Sequence, residues 1–163
     1  MQLAEINVAT LRAPLDDPMI ADFAAGIAPL NQLAEAAPGF VWRLVDEPGR
    51  VDTVVVGASP FDPRIIVNMS VWESLEALRA FTYSGVHLDF IKRRRDWFSR
   101  MDVFLAMWWV ADGERPTLAQ GQARLRLLER NGSTARAFTF SSTFDADGSP
   151  SVPRQWPPHK PRK

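Results

Sequence analysis

The segment RIIVNMSVWESLEAL, residues 64–78, combines a strand pattern with side chains that can bind a ligand. In an extended strand, successive side chains point to opposite faces of the sheet. One face is therefore expected to be wholly apolar, since residues 65, 67, 69 and 71 are Ile, Val, Met and Val. The other face carries Asn68, Ser70 and Trp72, which supply an amide, a hydroxyl and an indole.

Asparagine and tryptophan on one strand face fit a small-molecule site, because such pockets combine apolar walls with a few polar groups. The first strand shows the same division, with Glu5 and Asn7 on the face opposite a run of apolar residues. Asn7 could then join Asn68 and Trp72 in one pocket. The alternative is that Asn68 and Ser70 form buried hydrogen bonds at a subunit interface while Trp72 fills space.

His87 is the next candidate, as the only histidine in the region expected to fold. Its ordinary pKa near 6.5 suits the deprotonation of a phenol, whereas the simpler interpretation is one hydrogen bond at the start of the helix HLDFIKRRRDWF. Arg94 lies seven residues later, so it could share the face of His87 and bind an anionic group. The rest of the KRRR run is expected to be solvated, with Arg93 able to stack on Trp97.

Aromatic residues are abundant, with six tryptophans in 163 residues. An aromatic-lined cavity would suit a flat aromatic ligand, although core packing explains any single ring. Trp108 and Trp109 are adjacent on a predicted strand, so one should pack under the helices and the other should enter a barrel interior. The expected substrate contacts are Trp42, Tyr83, Arg94 and Trp108.

Composition excludes several classes of protein. Nineteen basic and nineteen acidic residues balance, so nothing favours a nucleic-acid or membrane partner. The chain has no cysteine and two histidines, which disfavours a metal site. No signal peptide is evident, and the longest apolar run, VFLAMWWVA, is far shorter than the roughly 20 residues that span a bilayer. We expect a cytoplasmic protein.

The order of predicted elements indicates an α+β protein with a ferredoxin-like β-α-β-β-α-β plan and an appended C-terminal helix and strand. One domain is expected over residues 1–145, followed by a proline-rich basic tail over 146–163. Pro29 should kink or divide the first helix. The predicted elements are strand 2–11, a helix from Asp17, strand 40–47, a possible short strand at 53–56, strand 64–72, helices from 73 and 87, strand 102–112, helix 118–130 and strand 137–144.

This plan places helices on one face of the sheet and leaves the other face to be covered. The chain has few elements left for that cover, so we predict a homodimer whose two sheets face one another as a barrel. The apolar edge of residues 65–71 should face the helices. Asn68, Ser70 and Trp72 should face the open side, where a cavity can form.

The plan resembles the dimeric α/β-barrel superfamily. Within it, the N-x-x-x-W spacing of Asn68 and Trp72 is similar to that of cofactor-independent antibiotic-biosynthesis monooxygenases, in which a first-strand asparagine, matching Asn7 by position, joins the pair. The likeness covers about residues 1–112. It implies oxidation of polycyclic phenols to quinones without metal or flavin, with the asparagines and the tryptophan holding the substrate enolate. Other members of the superfamily bind haem, so His87 could alternatively be a haem ligand.

About residues 1–140 resemble a bacterial family of unknown function, the one numbered 3291, through FVWRL, VNMSVWESLEALRAF, HLDFIKRRRDWF and WWV…G.RPT. This resemblance implies the fold and no activity. The leading hypothesis is a small-molecule monooxygenase of natural-product biosynthesis that acts on a phenolic or polyketide-like substrate with O2 and no cofactor. Asn68, Trp72, Asn7 and His87 are its expected catalytic residues. The alternatives are a haem-binding enzyme and a non-catalytic ligand-binding dimer.

Overall fold

The computed structural model describes residues 1–45, 55–56, 64–83, 85–100 and 104–151. Five strands and four α-helices lie in these ranges: β1 Gln2–Thr10, α1 Ala21–Glu35, β2 Phe40–Arg43, β3 Val55–Val56, β4 Ile65–Trp72, α2 Leu75–Thr82, α3 Gly85–Trp97, β5 Leu105–Val110 and α4 Leu118–Asn131. A short 3-10 turn, Pro18–Ile20, precedes α1. Residues 152–163, most of the predicted tail, lie outside the described part of the chain.

The strands form one antiparallel sheet in the order β2-β4-β1-β5, and β3 pairs with β4. This order, with α1 and the α2–α3 pair as crossovers, is the ferredoxin-like arrangement, so the predicted fold class is confirmed. β1 is central and pairs with β4 and β5 along most of its length. Side chains on β1 and β4 therefore lie on strands that are paired with a neighbouring strand on both sides.

The 3-10 turn before α1 and the helices α2 and α4 begin where the sequence provides capping groups. Asp17 accepts a hydrogen bond from the Met19 amide at 2.8 Å, and Ser74 caps α2 by accepting from the Ala77 amide at 3.1 Å. Thr117 forms a reciprocal capping box with Gln120 at the start of α4. These local signals account for the agreement between the predicted and observed helix starts.

The prediction of an appended strand is wrong, and of the two effects predicted for Pro29, division of the first helix does not occur. Pro29 does not divide the first helix, since α1 continues through it to Glu35 with the proline exposed to solvent. The appended strand over 137–144 does not form. Phe138 makes one isolated bridge with Met107, and the chain then turns tightly between Thr139 and Ser142, so no ladder extends along β5.

The sheet has two chemically different faces, which we call the network face, after its hydrogen-bonded polar side chains, and the α4 face. The network face lies under α1, α2 and α3 and carries Leu3, Glu5, Asn7, Asn68, Ser70, Trp72 and Met107. The α4 face lies under α4 and carries Ala4, Ile6, Val67, Met69, Val71, Ala106 and Trp108.

The predicted orientation of β4 is therefore wrong, because its polar edge faces the three crossover helices. Trp72 stacks on Phe81 of α2, which places the network face under α2. Arg43, the strand partner of Ser70, forms an ion pair with Glu35 of α1 at 2.7 Å. The apolar edge of β4 instead packs on α4.

A glycine allows α4 to approach the sheet closely. A Cβ atom at Gly121 would lie 2.6 Å from Cδ1 of Ile6 and 3.0 Å from Sδ of Met69. Leu128 of α4 completes this contact, and the strand residues beneath it are buried within one chain. The homodimer was predicted because one face of the sheet was expected to lack a cover within the chain, and α4 removes that reason.

In the described ranges, no helix combines the length and the apolar character needed to cross a membrane.

Candidate functional site

Four side chains on the network face form a continuous hydrogen-bonded chain. The indole N–H of Trp72 donates to Oγ of Ser70 at 2.9 Å, and the Ser70 hydroxyl donates to Oε1 of Glu5 at 2.7 Å. From the other side, Nδ2 of Asn7 donates to Oε2 of Glu5 at 3.1 Å. The register of β1 on β4 produces this chain, because Glu5 is directly opposite Ser70 and Leu3 is opposite Trp72.

Glu5 is the unusual member of the chain, because its side chain is buried without a cationic partner in the network. Only 4% of the residue is exposed. Burial raises the pKa of Glu5 to about 7, although the hydrogen bonds from Ser70 and Asn7 pull the pKa in the opposite direction. Near neutral pH the carboxyl group is therefore divided between its protonated and ionised forms.

Asn68 marks the point where the network face opens to solvent. It is exposed, and within the described residues its side chain makes no hydrogen bond. It pairs in register with Asn7, which is half-buried, so the two amides stand side by side on adjacent strands. The structure thus brings together Asn7 and Asn68, two of the predicted catalytic residues.

Aromatic clusters flank this asparagine pair on both sides. Along β4, Trp72 lies beyond Ser70 and packs against Phe40 and Phe81. In the opposite direction Ile66 belongs to a cluster built around the buried Trp97. Two residues of strand correspond to about 7 Å, so the amides lie between two apolar walls separated by roughly 20 Å.

Trp72 itself is enclosed, which conflicts with its predicted role of stacking on a substrate. It is 1% exposed, its ring stacks on Phe81 with centroids 5.2 Å apart, and Phe40 meets it edge-on at 5.4 Å. Its indole N–H is already donated to Ser70. Trp72 therefore serves as a donor and a wall of the network rather than as a platform for a ligand.

His87 lies on the far side of Phe81 from Trp72. Its ring contacts Phe81 at 4.8 Å, and Nδ1 lies 2.9 Å from the Thr82 carbonyl oxygen. Because a carbonyl only accepts, Nδ1 carries the proton and Nε2 is left as an acceptor. Burial lowers the pKa of His87 below 6.5, partly offset by the Thr82 carbonyl, so the imidazole is neutral at neutral pH.

A groove of about 830 Å³ runs past His87 between α1 and α2. We call it the His87 groove; its lining is Leu33, Ala37, Pro38, Gly39, Glu73, Glu76, Ala77, Ala80, Phe81, Gly85 and His87. The charged side chains in this lining, Glu73 and Glu76, are both carboxylates. They would repel haem propionates, so the groove does not fit the predicted haem alternative. Across the described ranges, no cluster of three or more His, Asp or Glu side chains could hold a metal ion.

The predicted substrate contacts do not gather at the asparagine pair. Trp42 and Trp108 pack in the core of the α4 face, where Arg124 lies 5.7 Å from the Trp108 ring centroid. Tyr83 is 43% exposed and meets Phe140 edge-on at the end of α2. Arg94 is exposed and donates to the Ile91 carbonyl oxygen at 2.9 Å.

The predicted contact of Arg93 with Trp97 is confirmed, as is the placement of Trp108 and Trp109 on opposite faces, whereas Trp108 packs against α4 and does not enter a barrel interior. The Arg93 guanidinium lies 4.7 Å from the Trp97 ring centroid. Trp109, next to Trp108, lies on the opposite face in the cluster under the helices, where its indole N–H donates to the Phe144 carbonyl oxygen at 2.7 Å.

A family model described as "Domain of unknown function (DUF3291)" matches residues 2–154. The chain belongs to this family. No curated protein matches it.

Solved structures similar to this DUF3291 protein share little sequence identity with it. Rv0793 from Mycobacterium tuberculosis is 15% identical over 71% of this chain and 100% of its own, with a TM-score of 0.52, which shows a shared fold. SnoaB, a cofactor-independent oxygenase from Streptomyces nogalater, is 18% identical over 72% of this chain and 96% of its own, with a TM-score of 0.46.

The residue that the sequence analysis missed in this DUF3291 protein is Glu5. The signal was present, because the alternation of β1 placed Glu5 beside Asn7 on one face. A glutamate is rarely fully buried, so its presence on a strand with neighbours on both sides is unusual. Its hydrogen bond from Ser70 depends on the register between β1 and β4, which no local pattern specifies.

Proposed function

We propose that this protein is a small-molecule enzyme, a monooxygenase that oxidises a phenolic or polyketide-like aromatic substrate with O2 and without a metal ion or flavin. The observation that carries the proposal is the pair of amides, Asn7 and Asn68, which stand side by side at the open end of a buried polar network. Amide N–H groups held in place by a rigid sheet stabilise an oxyanion, because they need no reorganisation when the charge develops.

The proposed reaction starts from a phenolate held by the two asparagines. The ring carbon opposite the oxygen bonds to O2, the peroxide takes up a proton, and loss of water leaves a quinone. One oxygen atom enters the product and the other leaves as water. The proposed substrate is a flat, multi-ring phenol of natural-product biosynthesis, which is the substrate class that the resemblance implies. The resemblance of the Asn68–Trp72 spacing to the cofactor-independent monooxygenases supports the same reaction class.

The roles predicted for Trp72 and His87 change in this proposal. Trp72 orients Ser70 through its indole N–H and does not contact the substrate. Although Nε2 of His87 is a free acceptor for a proton among the described groups, His87 contacts Phe81, which packs on Trp72, the last member of the hydrogen-bonded network. The proposal assigns His87 no step.

Oxygen uptake with a panel of naphthols and anthrones tests the proposal. We expect Asn68→Ala to lower kcat by about 10²–10³-fold, the usual cost of removing one oxyanion donor. Asn131→Ala, at the exposed end of α4, is the matched control and should retain full activity. A wild-type protein that consumes no O2 with any phenol, or an Asn68→Ala variant as active as wild type, would refute the monooxygenase.

Two further outcomes separate the alternatives. Binding of a phenol without O2 uptake would support a ligand-binding protein.

The homodimer stays a prediction, which sedimentation velocity tests by measuring the mass of the assembly. Ser70 and Trp72 form their hydrogen bonds inside one chain, so we expect substitution of Asn68 to leave the sedimentation coefficient unchanged.

A further inference from the structure

We propose that Glu5 is a positioning residue for the Asn7 amide, and that a proton on Glu5 turns the NH2 end of that amide toward the substrate oxygen. When Glu5 loses this proton, the amide oxygen of Asn7 turns toward the substrate oxygen instead. The inference rests on the proposed function, since it concerns how the same site holds an oxyanion.

The hydrogen-bonded chain decides where a proton on Glu5 can sit. An indole N–H can only donate, so Ser70 Oγ must accept from Trp72. The Ser70 hydroxyl proton is then directed to Oε1 of Glu5 at 2.7 Å. Oε2 is left as the position for an added proton, and the Asn7 amide is the group that faces it at 3.1 Å.

Each protonation state of Glu5 permits a different orientation of the Asn7 amide. An ionised carboxylate only accepts, so it requires the NH2 group of Asn7, as the structure has it. A protonated Oε2 donates, so it requires the amide oxygen of Asn7. A half-turn about the last side-chain bond exchanges the two ends with little change of shape. The end that is not bonded to Glu5 is presented beside Asn68.

Few other charged groups on this face could produce the same pH dependence. In β5, the partner of Glu5 is Met107, and α2 contributes Phe81. Arg43 of β2 is ion-paired with Glu35 of α1. His87 of α3 lies behind Phe81, and because burial holds its pKa below 6.5 it is already neutral above pH 7. Among the groups just named, all in the described part of the chain, Glu5 is the one whose charge changes at and above pH 7.

This arrangement couples anion binding to protonation. A phenolate beside Asn68 needs N–H donors and is repelled by an ionised Glu5, so its binding should require the protonated form. Burial raises the pKa of Glu5 to about 7. Above that pH the protonated fraction falls tenfold per pH unit, and the affinity for an anion should fall with it.

The test uses 2,4-dinitrophenolate as the probe, because it stays ionised from about pH 6 to about pH 9 while Glu5 titrates. We expect calorimetry on the wild-type protein to show at least tenfold weaker binding at the upper pH than at the lower one. Glu5→Gln cannot ionise and keeps a donor facing Asn7, so its affinity should change less than about twofold over the same range. Glu129→Gln, an exposed carboxyl on α4, should retain the wild-type dependence.

The outcomes separate this inference from the proposed function. Binding that is independent of pH in the wild type, or that weakens equally in Glu5→Gln, refutes the role of Glu5 and leaves the site standing. No binding at any pH in either protein refutes the site and the inference together. The ether 2,4-dinitroanisole, which carries no oxyanion, should bind without pH dependence, and an equal dependence would refute the coupling.

A measurement without ligand or substitution of Glu5 gives an independent check. The side-chain NH2 signals of Asn7, identified by their loss in Asn7→Ala, should shift with a midpoint near pH 7 in the ¹⁵N-labelled wild-type protein. Signals that stay constant from about pH 6 to about pH 9 would overturn the reorientation.

Discussion

The two faces of the sheet differ in how they are held together. The α4 face packs apolar side chains such as Ile6 and Met69 against a helix with a close glycine contact. The network face buries an ionisable carboxyl group, Glu5, which is supported by hydrogen bonds and has no ion pair with any described residue. Burying a charge is unfavourable, so the α4 face stabilises the fold, whereas the fixed polar arrangement of the network face lowers its stability. That contrast is typical of a fold that carries a functional site on one side.

The largest effect on the network face should come from Trp72→Ala. Removing a fully buried tryptophan typically costs about 3–5 kcal/mol of unfolding free energy. Trp108→Ala on the α4 face should cost a similar amount, since its ring is 2% exposed. Only the loss of Trp72 should let water reach Ser70 and Glu5. It should therefore reduce the pH dependence of stability that the buried Glu5 causes. Urea denaturation at several pH values measures both effects, and an equal reduction in both variants would contradict the separation of the two faces.

The second effect is the pH dependence that Glu5 gives to stability. Its pKa is raised from 4.5 in the unfolded chain to about 7 in the folded protein. The folded state therefore binds the proton more tightly, and this stabilisation is complete below pH 4.5 and is lost as pH rises through about 7. The loss amounts to about 3 kcal/mol.

Glu5→Gln isolates this contribution, because the substitution removes the titrating group and leaves the opposite contribution of His87 in place. The difference in unfolding free energy between wild type and Glu5→Gln should change by about 3 kcal/mol between pH 4.5 and pH 8, with the wild type losing stability. A constant difference across that range would mean that Glu5 is not desolvated.

A third prediction concerns the contact between α4 and the sheet. Gly121→Leu should destabilise the protein by about 1–3 kcal/mol, because the added atoms overlap with Ile6 and Met69 in a filled core. Ala119→Leu places the same side chain on the exposed side of α4 and should be nearly neutral. Thermal unfolding compares the two, and equal melting temperatures would show that α4 does not press on this face.

The smallest effect should come from the helix caps. Thr117→Ala removes the capping box of α4 and should cost about 1 kcal/mol. Ser74→Ala removes the cap of α2 on the network face at a similar cost. Hydrogen exchange should show faster opening of α4 in the first variant and of α2 in the second. Faster exchange of both helices in either variant would indicate that the two faces unfold as one unit.

Local patterns were sufficient for much of the fold. The alternation in β1 and β4, the capping groups Ser74 and Thr117, and the N-x-x-x-W spacing of Asn68 and Trp72 are all properties of neighbouring residues. They predicted the ferredoxin-like order and that Asn7 and Asn68 could line one pocket, whereas the direct pairing of the two asparagines depends on the register between β1 and β4. The prediction failed for residues 137–144, because a run of alternating side chains forms a strand only if a sheet edge extends alongside it.

The sequence by itself determined that the sheet has one polar and one apolar face. Only the tertiary structure decided which helices cover each face. Strand alternation divides side chains into two sets but is symmetric with respect to which set faces a given helix. The packing of α4 on one face, permitted by Gly121, decides which set of side chains faces α4 and which set faces the other helices. It places Glu5 under three helices, and the resulting burial raises its pKa to about 7.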